Sequence, residues 1–390
     1  MDALPRRRAY SGPVFLSGGF RPFFLFAGLY AAVVMAAWLP LYTGAISLPL
    51  RFAPLDWHAH ELLFGTVAAT VAGFLLTAIP NWTGRLPIQG TPLAVLVLTW
   101  LAGRIVMWFS GALPAVVVAV IDLAFLVLLA AAAGREIVAG KNWRNLRVLG
   151  PLTVLIAANV CWHVEVARAG SGEYSRRLAI AAVIMLIMLI GGRIVPSFTR
   201  NVLARTKGRL PVPFDRFDGV AMAAGIVALL AWVALPLHVA TGALLVLAAG
   251  LHIGRLARWA GDRTTHDALL LILHVAYAFV PIGFLLNGLT AFTPMVAASA
   301  GIHAWTAGAM GAMTLAVMSR ASLGHTGQAL RADARLQAVY VCVVGAALVR
   351  IAAALIPTAA FPLYDVAAAA WVLAYLGFAV LFAPLLLARR

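Results

Sequence analysis

Residues 112–133 read ALPAVVVAVIDLAFLVLLAAAA, a stretch in which Asp122 is the one charged residue. A helix of about 20 mostly apolar residues is long enough to cross the hydrocarbon core of a bilayer. The stretch is therefore predicted to be a transmembrane helix that carries a carboxylate inside the membrane.

Apolar stretches of this length recur along the whole chain. The 390 residues are 63% hydrophobic and 11% charged, whereas soluble proteins carry about 25% charged residues. We predict an all-α, polytopic membrane protein with twelve transmembrane helices and little room for a soluble domain. The predicted spans are 20–42, 58–80, 91–109, 112–133, 148–167, 178–196, 218–236, 237–257, 266–288, 295–318, 333–356 and 360–387.

Basic residues are distributed unevenly between the two sides of these spans. The net charge of +16 would indicate nucleic acid binding in a soluble protein. Here 22 of the 29 basic residues lie at the termini or after even-numbered spans, and 4 lie after odd-numbered spans. Because basic residues collect on the cytoplasmic side, both termini are predicted to be cytoplasmic, including the segment with Arg6, Arg7 and Arg8. No nucleic acid partner is expected.

A weak internal repeat relates the first and last thirds of the chain. Three pairs of residues in corresponding spans are separated by 245, 246 and 247 positions, namely His58 and His303, Arg104 and Arg350, and Tyr30 and Tyr277. Pro80-Asn81-Trp82-Thr83 also resembles Pro196-Ser197-Phe198-Thr199. The pattern favours a single membrane domain, 1–390, with four-helix repeat units at 1–140, 141–262 and 263–390.

Two histidines hold equivalent places in this repeat, at the outer ends of spans 2 and 10. His58 and His303 are expected to face a common interior at similar depth, which suits the two axial ligands of one haem. His60 lies about 200° around the helix from His58, so it is a candidate for a second metal, with Glu61 as a hydrogen-bond partner. The choice between His58 and His60 as the iron ligand stays open.

Two arginines lie at the depth of these histidines. Arg104 and Arg350 fall inside spans 3 and 11, where a guanidinium needs an anion. Haem propionates would supply one, and so would Asp122. On the inner side, His252 and His274 form a weaker candidate metal pair. Hydrogen bonds between helices are the preferred explanation for the remaining histidines within spans, namely His163, His238 and His266.

Six tracts of the chain form a specific set, spread over almost its entire length. They are Phe20-Arg21-Pro22-Phe23-Phe24, Trp57-His58-Ala59-His60-Glu61, Pro80-Asn81-Trp82-Thr83-Gly84, Gly191-Gly192-Arg193-Ile194-Val195-Pro196-Ser197-Phe198-Thr199-Arg200-Asn201, His303-Ala304-Trp305-Thr306 and Gly324-His325-Thr326-Gly327. Together these tracts resemble the NnrS family. The resemblance implies a bacterial inner-membrane protein that contains haem and copper and is linked to nitric oxide, denitrification and tolerance of nitrosative stress.

The order of the spans also resembles that of haem-copper oxidases and nitric oxide reductases. Those proteins arrange twelve helices in three arcs of four and take haem ligands from the second and tenth helices, the places of His58 and His303. The present chain lacks the adjacent His-His pair of that group, and spans 6 and 7 contain no histidine. A standard binuclear centre is therefore not expected.

Three hypotheses about function follow from these patterns. The first is a protein with b-type haem and copper that binds or handles nitric oxide. The second is a quinol-linked redox enzyme that acts on nitric oxide or a related small molecule. The third is an anion or metal-related transporter, suggested by repeated units and buried arginines, and it predicts that the pure protein is colourless.

Overall fold

The computed structural model describes residues 10–204 and 207–388, and these residues form twelve long helices and no strand. Eleven of the helices are long and apolar enough to cross a membrane. The prediction of an all-α, polytopic membrane protein is therefore confirmed. The helices are α1 (Phe20–Tyr42), α2 (Pro54–Thr83), α3 (Thr91–Trp108), α4 (Ala115–Ala139), α5 (Leu149–Ala169), α6 (Glu173–Leu203), α7 (Arg216–Ala234), α8 (Val239–Ala257), α9 (Ala268–Leu289), α10 (298–325), α11 (Ala334–Leu355) and α12 (Ala360–Leu387).

Two of these helices contain a π-helical turn next to a predicted site histidine. In α2 the turn covers Glu61–Val67 and begins three residues after His58. In α10 it covers Ala304–Ala312 and begins directly after His303. This α10 is the one long helix of the described residues that is not among the eleven. π turns are rare and occur frequently at functional sites. Helices α2 and α10 therefore resemble each other in structure as well as in sequence, because each has a π turn near its histidine.

Helix ends follow from local sequence signals. Asp215, Asp267 and Asp333 precede α7, α9 and α11, and each carboxylate accepts a hydrogen bond from a backbone N–H of the first turn. The structure extends α6 over Glu173–Leu203, beyond the predicted 178–196. Hydropathy marks the apolar part of a helix, whereas the backbone continues its hydrogen bonds into the polar residues at both ends.

The described residues divide into two compact units. Unit 1 contains the residues up to Ala179, Met318–Ala329 and those from Tyr375 onward, and unit 2 contains Ile180–Val317 and Leu330–Ala374. Each unit has its own core of fully buried aromatic side chains, which in unit 1 include Trp57, Trp100 and Trp162 and in unit 2 include Trp259, Trp305 and Tyr277. The three repeat units stay a prediction. The N-terminal segment with Arg6, Arg7 and Arg8 lies outside the described residues.

Candidate metal centre

Three side chains of types that can bind a metal ion meet inside unit 1. His60 of α2, Asp122 of α4 and His163 of α5 each offer one atom, and these atoms all lie within 4.8 Å of one another. Asp122 Oδ2 is 3.2 Å from His60 Nε2 and 3.0 Å from His163 Nε2. No other group of three histidine, cysteine or acidic side chains with this spacing occurs in residues 10–204 and 207–388. We call these three residues the metal triad.

The sequence places each member of the metal triad on a different helix, and this is why the triad itself was not predicted. From the sequence alone, Asp122 is a possible partner of Arg104, and a hydrogen bond between helices is the preferred explanation for His163. A usable signal was present in α5, where Asn159 and His163 are four residues apart and therefore share one helix face. A polar pair on one face of an apolar span points to a buried polar partner on a neighbouring helix.

Asn159 lies beside the metal triad and forms hydrogen bonds with two of its members, Asp122 and His60. Its Nδ2 donates to Asp122 Oδ2 at 2.8 Å, and this bond turns Oδ1 toward His60 Nε2 at 3.0 Å. Asn159 and His60 are both fully buried. His60 Nε2 thus lies within hydrogen-bond distance of Asn159 Oδ1 as well as near Asp122 Oδ2, so an amide oxygen lies next to the metal triad.

Arg104 lies between two carboxylates beside the metal triad. Its Nη1 donates to Glu61 Oε1 at 2.6 Å, and its Nη2 donates to Asp122 Oδ1. Asp122 was one of the two anions predicted for this arginine, whereas the contact with Glu61 was not predicted. Two carboxylates and one guanidinium leave one net negative charge. The surroundings of the metal triad therefore favour a cation, either a proton or a metal ion.

Both ring nitrogens of His60 face hydrogen-bond acceptors. Nδ1 lies 2.8 Å from Glu61 Oε1, and Nε2 lies 3.0 Å from Asn159 Oδ1. An imidazolium would satisfy both acceptors. A metal ion on Nε2 would satisfy them equally well, because Nδ1–H would still donate to Glu61 in the carboxylate–histidine–metal arrangement that holds many metal ligands. Glu61 also accepts a hydrogen bond from Tyr30, so its orientation is fixed from α1 as well.

The predicted haem ligands, His58 and His303, have matching hydrogen bonds within their own helices. His58 Nδ1 lies 3.0 Å from the carbonyl oxygen of Leu55, and His303 Nδ1 lies 2.7 Å from that of Ser299. A carbonyl accepts only, so Nδ1 carries the proton, and in the neutral ring the lone pair then lies on Nε2, as in the tautomer of a metal-binding histidine. His58 belongs to unit 1 and His303 to unit 2. Their ligation of one iron stays a prediction.

The second predicted metal pair, His252 and His274, has separate partners in unit 2. His252 Nδ1 lies 2.9 Å from the hydroxyl of Tyr277, whereas His274 Nε2 lies 2.9 Å from the hydroxyl of Thr199. In the described part of the chain, neither belongs to a group of three ligating side chains. Their role as metal ligands stays a prediction.

The remaining candidates have contacts that explain their positions. The guanidinium carbon of Arg350 lies 4.6 Å from the ring centre of Tyr364 on α12, within the range of a cation–π interaction. The propionate role of Arg350 and Arg104 stays a prediction.

His238 precedes α8, and its Nδ1 accepts from the backbone N–H of Ala240. His163 does bond to another helix, as predicted, but its partner is a member of the metal triad.

Comparison with known proteins concerns nearly the whole chain. The profile of the family described as NnrS protein matches residues 14–390. No match was found among curated proteins. The matched range contains both units and the metal triad.

Proposed function

Since the chain belongs to the NnrS family, we propose that it binds haem and copper in the bacterial inner membrane and binds or handles nitric oxide. This activity would support tolerance of nitrosative stress and denitrification. Family membership supports a membrane protein of the nitric oxide response in general, and the eleven apolar helices support a multi-pass protein. The metal triad is the observation that carries the more specific proposal.

The donor set of the metal triad suits copper. Imidazole nitrogen binds copper, zinc, iron and nickel well, and Cu²⁺ has the highest affinity among the divalent first-row metals for a given site. The net negative surroundings offset part of the positive charge of such an ion. A copper ion bound here would supply a one-electron redox centre and a binding position for a small molecule.

The side chains around the metal triad would hold the ligands in place. Glu61 fixes the ring of His60 through Nδ1, and Arg104 fixes Asp122 through Oδ1, so that Oδ2 points toward both imidazoles. Because Glu61, His60, Arg104 and Asp122 are buried, bulk water has little access to them and their charges interact strongly. Hydrogen bonds thus orient the ligands before any ion binds, which favours tight binding.

The proposed haem rests on the tautomer of His58 and His303. Each histidine presents Nε2 as the nitrogen with a lone pair, and each precedes a π turn. A b-type haem held by one of these histidines would leave a coordination position of its iron open for nitric oxide. The ring of Trp38 packs on His58 with ring centres 4.5 Å apart, which limits rotation of the imidazole.

The transport alternative receives little support from Arg104. Both Nη atoms of this arginine donate to carboxylates of the same unit, so it does not offer a binding place for a transported anion. A redox role, with quinol as the electron donor, agrees with a buried metal site of nitrogen and oxygen ligands. We keep it as the second candidate.

Metal analysis and visible spectra of detergent-purified variants test the proposal. His163→Ala should lose copper and keep haem, while His58→Ala and His303→Ala should lose haem or change its spectrum. His238→Ala is the matched control, because this histidine caps α8 and should affect neither cofactor. A colourless wild-type protein without copper would refute both assignments. Full copper retention in His163→Ala would refute the metal triad alone.

A further inference from the structure

One aromatic side chain from the connection between α1 and α2 covers the metal triad. The ring of Phe52 is stacked on that of His60, with ring centres 5.9 Å apart and an angle of 19° between the planes. The same ring meets His163 edge to face, again with ring centres 5.9 Å apart. A single phenyl ring thus packs against both histidines of the metal triad.

Phe52 is buried although the segment around it is not. Of residues 43–53, all of which the structure describes, Phe52 alone is buried, and the others are partly or fully exposed. Its own side chain is 4% exposed. The connection therefore places one apolar ring over the metal triad, and removal of that ring from water favours the closed position.

Three hydrogen bonds fasten the segment before Phe52 to the connection between α3 and α4, with lengths of 2.7, 3.0 and 2.7 Å. In order, they join the N–H of Gly111 to the carbonyl oxygen of Pro49, the N–H of Arg51 to Ser110 Oγ, and Arg51 Nη2 to the carbonyl oxygen of Leu113. The last of them is exposed to solvent, and segments held by exposed hydrogen bonds open locally at low cost. We call residues 49–53 the strap.

The metal triad comes closest to the surface at His163. The side chain of His163 is 10% exposed, whereas those of His60 and Asp122 are 0% exposed. An ion that approaches the metal triad from solvent therefore meets His163 first, and Phe52 lies against this histidine. The connections that carry the strap and its anchor follow α1 and α3, so both lie on the predicted periplasmic side.

We propose that the strap is the gate of the metal triad and that Phe52 is its movable cover. In the closed position the ring keeps water and chelating molecules away from the two imidazoles. When the strap separates from the connection between α3 and α4, the ring moves with it, and a transition-metal ion reaches His163 and His60 from the periplasmic side. The inference rests on the proposed function for the ion, whereas the cover consists of residues of this chain alone.

Gly111 allows the strap to be displaced without a change in Phe52 or in the metal triad. A Cβ atom at Gly111 would lie 2.8 Å from the carbonyl oxygen of Pro49, so Gly111→Ala should push the strap away from its anchor. Gly150→Ala in α5 is the matched control, because no atom lies within 4 Å of the new Cβ. Phe52→Ala removes the cover, and Phe52→Leu keeps an apolar side chain over the imidazoles.

Modification of histidine by diethyl pyrocarbonate tests the cover and needs no bound metal. The full-length protein in detergent is depleted of metal with EDTA, and mass spectrometry compares the modification rate of His163 with that of the exposed His238 in the same molecule. The ratio should rise at least fivefold in Phe52→Ala and Gly111→Ala. It should change less than twofold in Phe52→Leu and Gly150→Ala. Thermal unfolding shows which variants are folded, and an unchanged ratio in folded Gly111→Ala would overturn the proposal.

Release of copper tests the route of the ion. Protein loaded with Cu²⁺ is mixed with an excess of EDTA, and the copper that stays bound is measured over time. Release should be at least fivefold faster in Phe52→Ala and Gly111→Ala than in wild type and Gly150→Ala. Equal release rates in a protein that binds Cu²⁺ would overturn the gate and leave the proposed metal site standing. A wild-type protein that binds no Cu²⁺ would refute the metal site, and the gate with it.

Discussion

At the scale of single residues, the histidines and arginines were visible in the sequence but their partners were not. His58, His60, His303 and Arg104 are conspicuous because polar groups in apolar spans are costly. The convergence of His60 with His163 depends on which faces α2, α4 and α5 turn toward each other. That choice results from packing between distant parts of the chain, and no local pattern encodes it.

Asp122 has the most polar partners in the metal triad, namely Arg104, Asn159, His60 and His163, and its replacement should be costly. Asp122→Asn removes one of the two carboxylate partners of the buried Arg104 together with one proposed metal ligand. Breaking a buried ion pair on one side costs about 3–5 kcal/mol, so we expect a clearly lower unfolding temperature and loss of copper. Asp262→Asn is the control, because its ion pair with Arg209 is exposed and such pairs contribute about 0–1 kcal/mol. Equal effects of the two substitutions would contradict the prediction.

At the scale of elements, hydropathy located all twelve helices but not their irregularities. The predicted span 58–80 became Pro54–Thr83 with a π turn inside it. A π turn adds one residue to a helical turn without changing composition, so the apolar pattern does not reveal it. A contact from another helix accompanies the turn, because Trp100 Nε1 of α3 donates to the carbonyl oxygen of Gly65.

Gly65 shows how closely the π turn of α2 is packed. A Cβ atom at this position would lie 2.8 Å from the ring of Tyr30 and 3.1 Å from Arg104 Nη1. Gly65→Ala should therefore displace Arg104 and destabilise the protein by about 1–3 kcal/mol, the usual cost of overpacking, and it should weaken metal binding. Gly345→Ala in α11 has no atom within 4 Å of the new Cβ and should change the unfolding temperature little. If both variants unfold at the wild-type temperature, the packing argument fails.

The start of α11 should give a pH-dependent contribution to stability. The backbone N–H of Leu336 donates to Asp333, and this bond holds the pKa of the Asp333 carboxyl below its usual value. A lowered pKa in the folded state means that the stabilisation is present above the unfolded pKa and is lost as pH falls through the folded value. Asp333→Ala should thus lower the unfolding temperature at neutral pH, and the difference should shrink in acid. A difference that stays constant down to acid pH would contradict this.

At the scale of the whole molecule, the predicted orientation rests on the distribution of basic residues. Reporter fusions near residues 168–177, between α5 and α6, should read as periplasmic. Fusions near 205–212 should report a cytoplasmic location, because that side collects arginine and lysine. The opposite reading at either place would reverse the predicted depth of every histidine.

The ion pair between Arg104 and Asp122 also bears on how the protein is made. Each charged side chain alone would add about 2.5–3.5 kcal/mol to the cost of inserting its helix from the translocon into lipid. The two residues are 18 positions apart on consecutive helices, so they can pair while both segments are still near the channel. We expect α3 and α4 to leave the translocon together as a neutral hairpin. Glu61, on the already synthesised α2, is then available as the second carboxylate partner of Arg104.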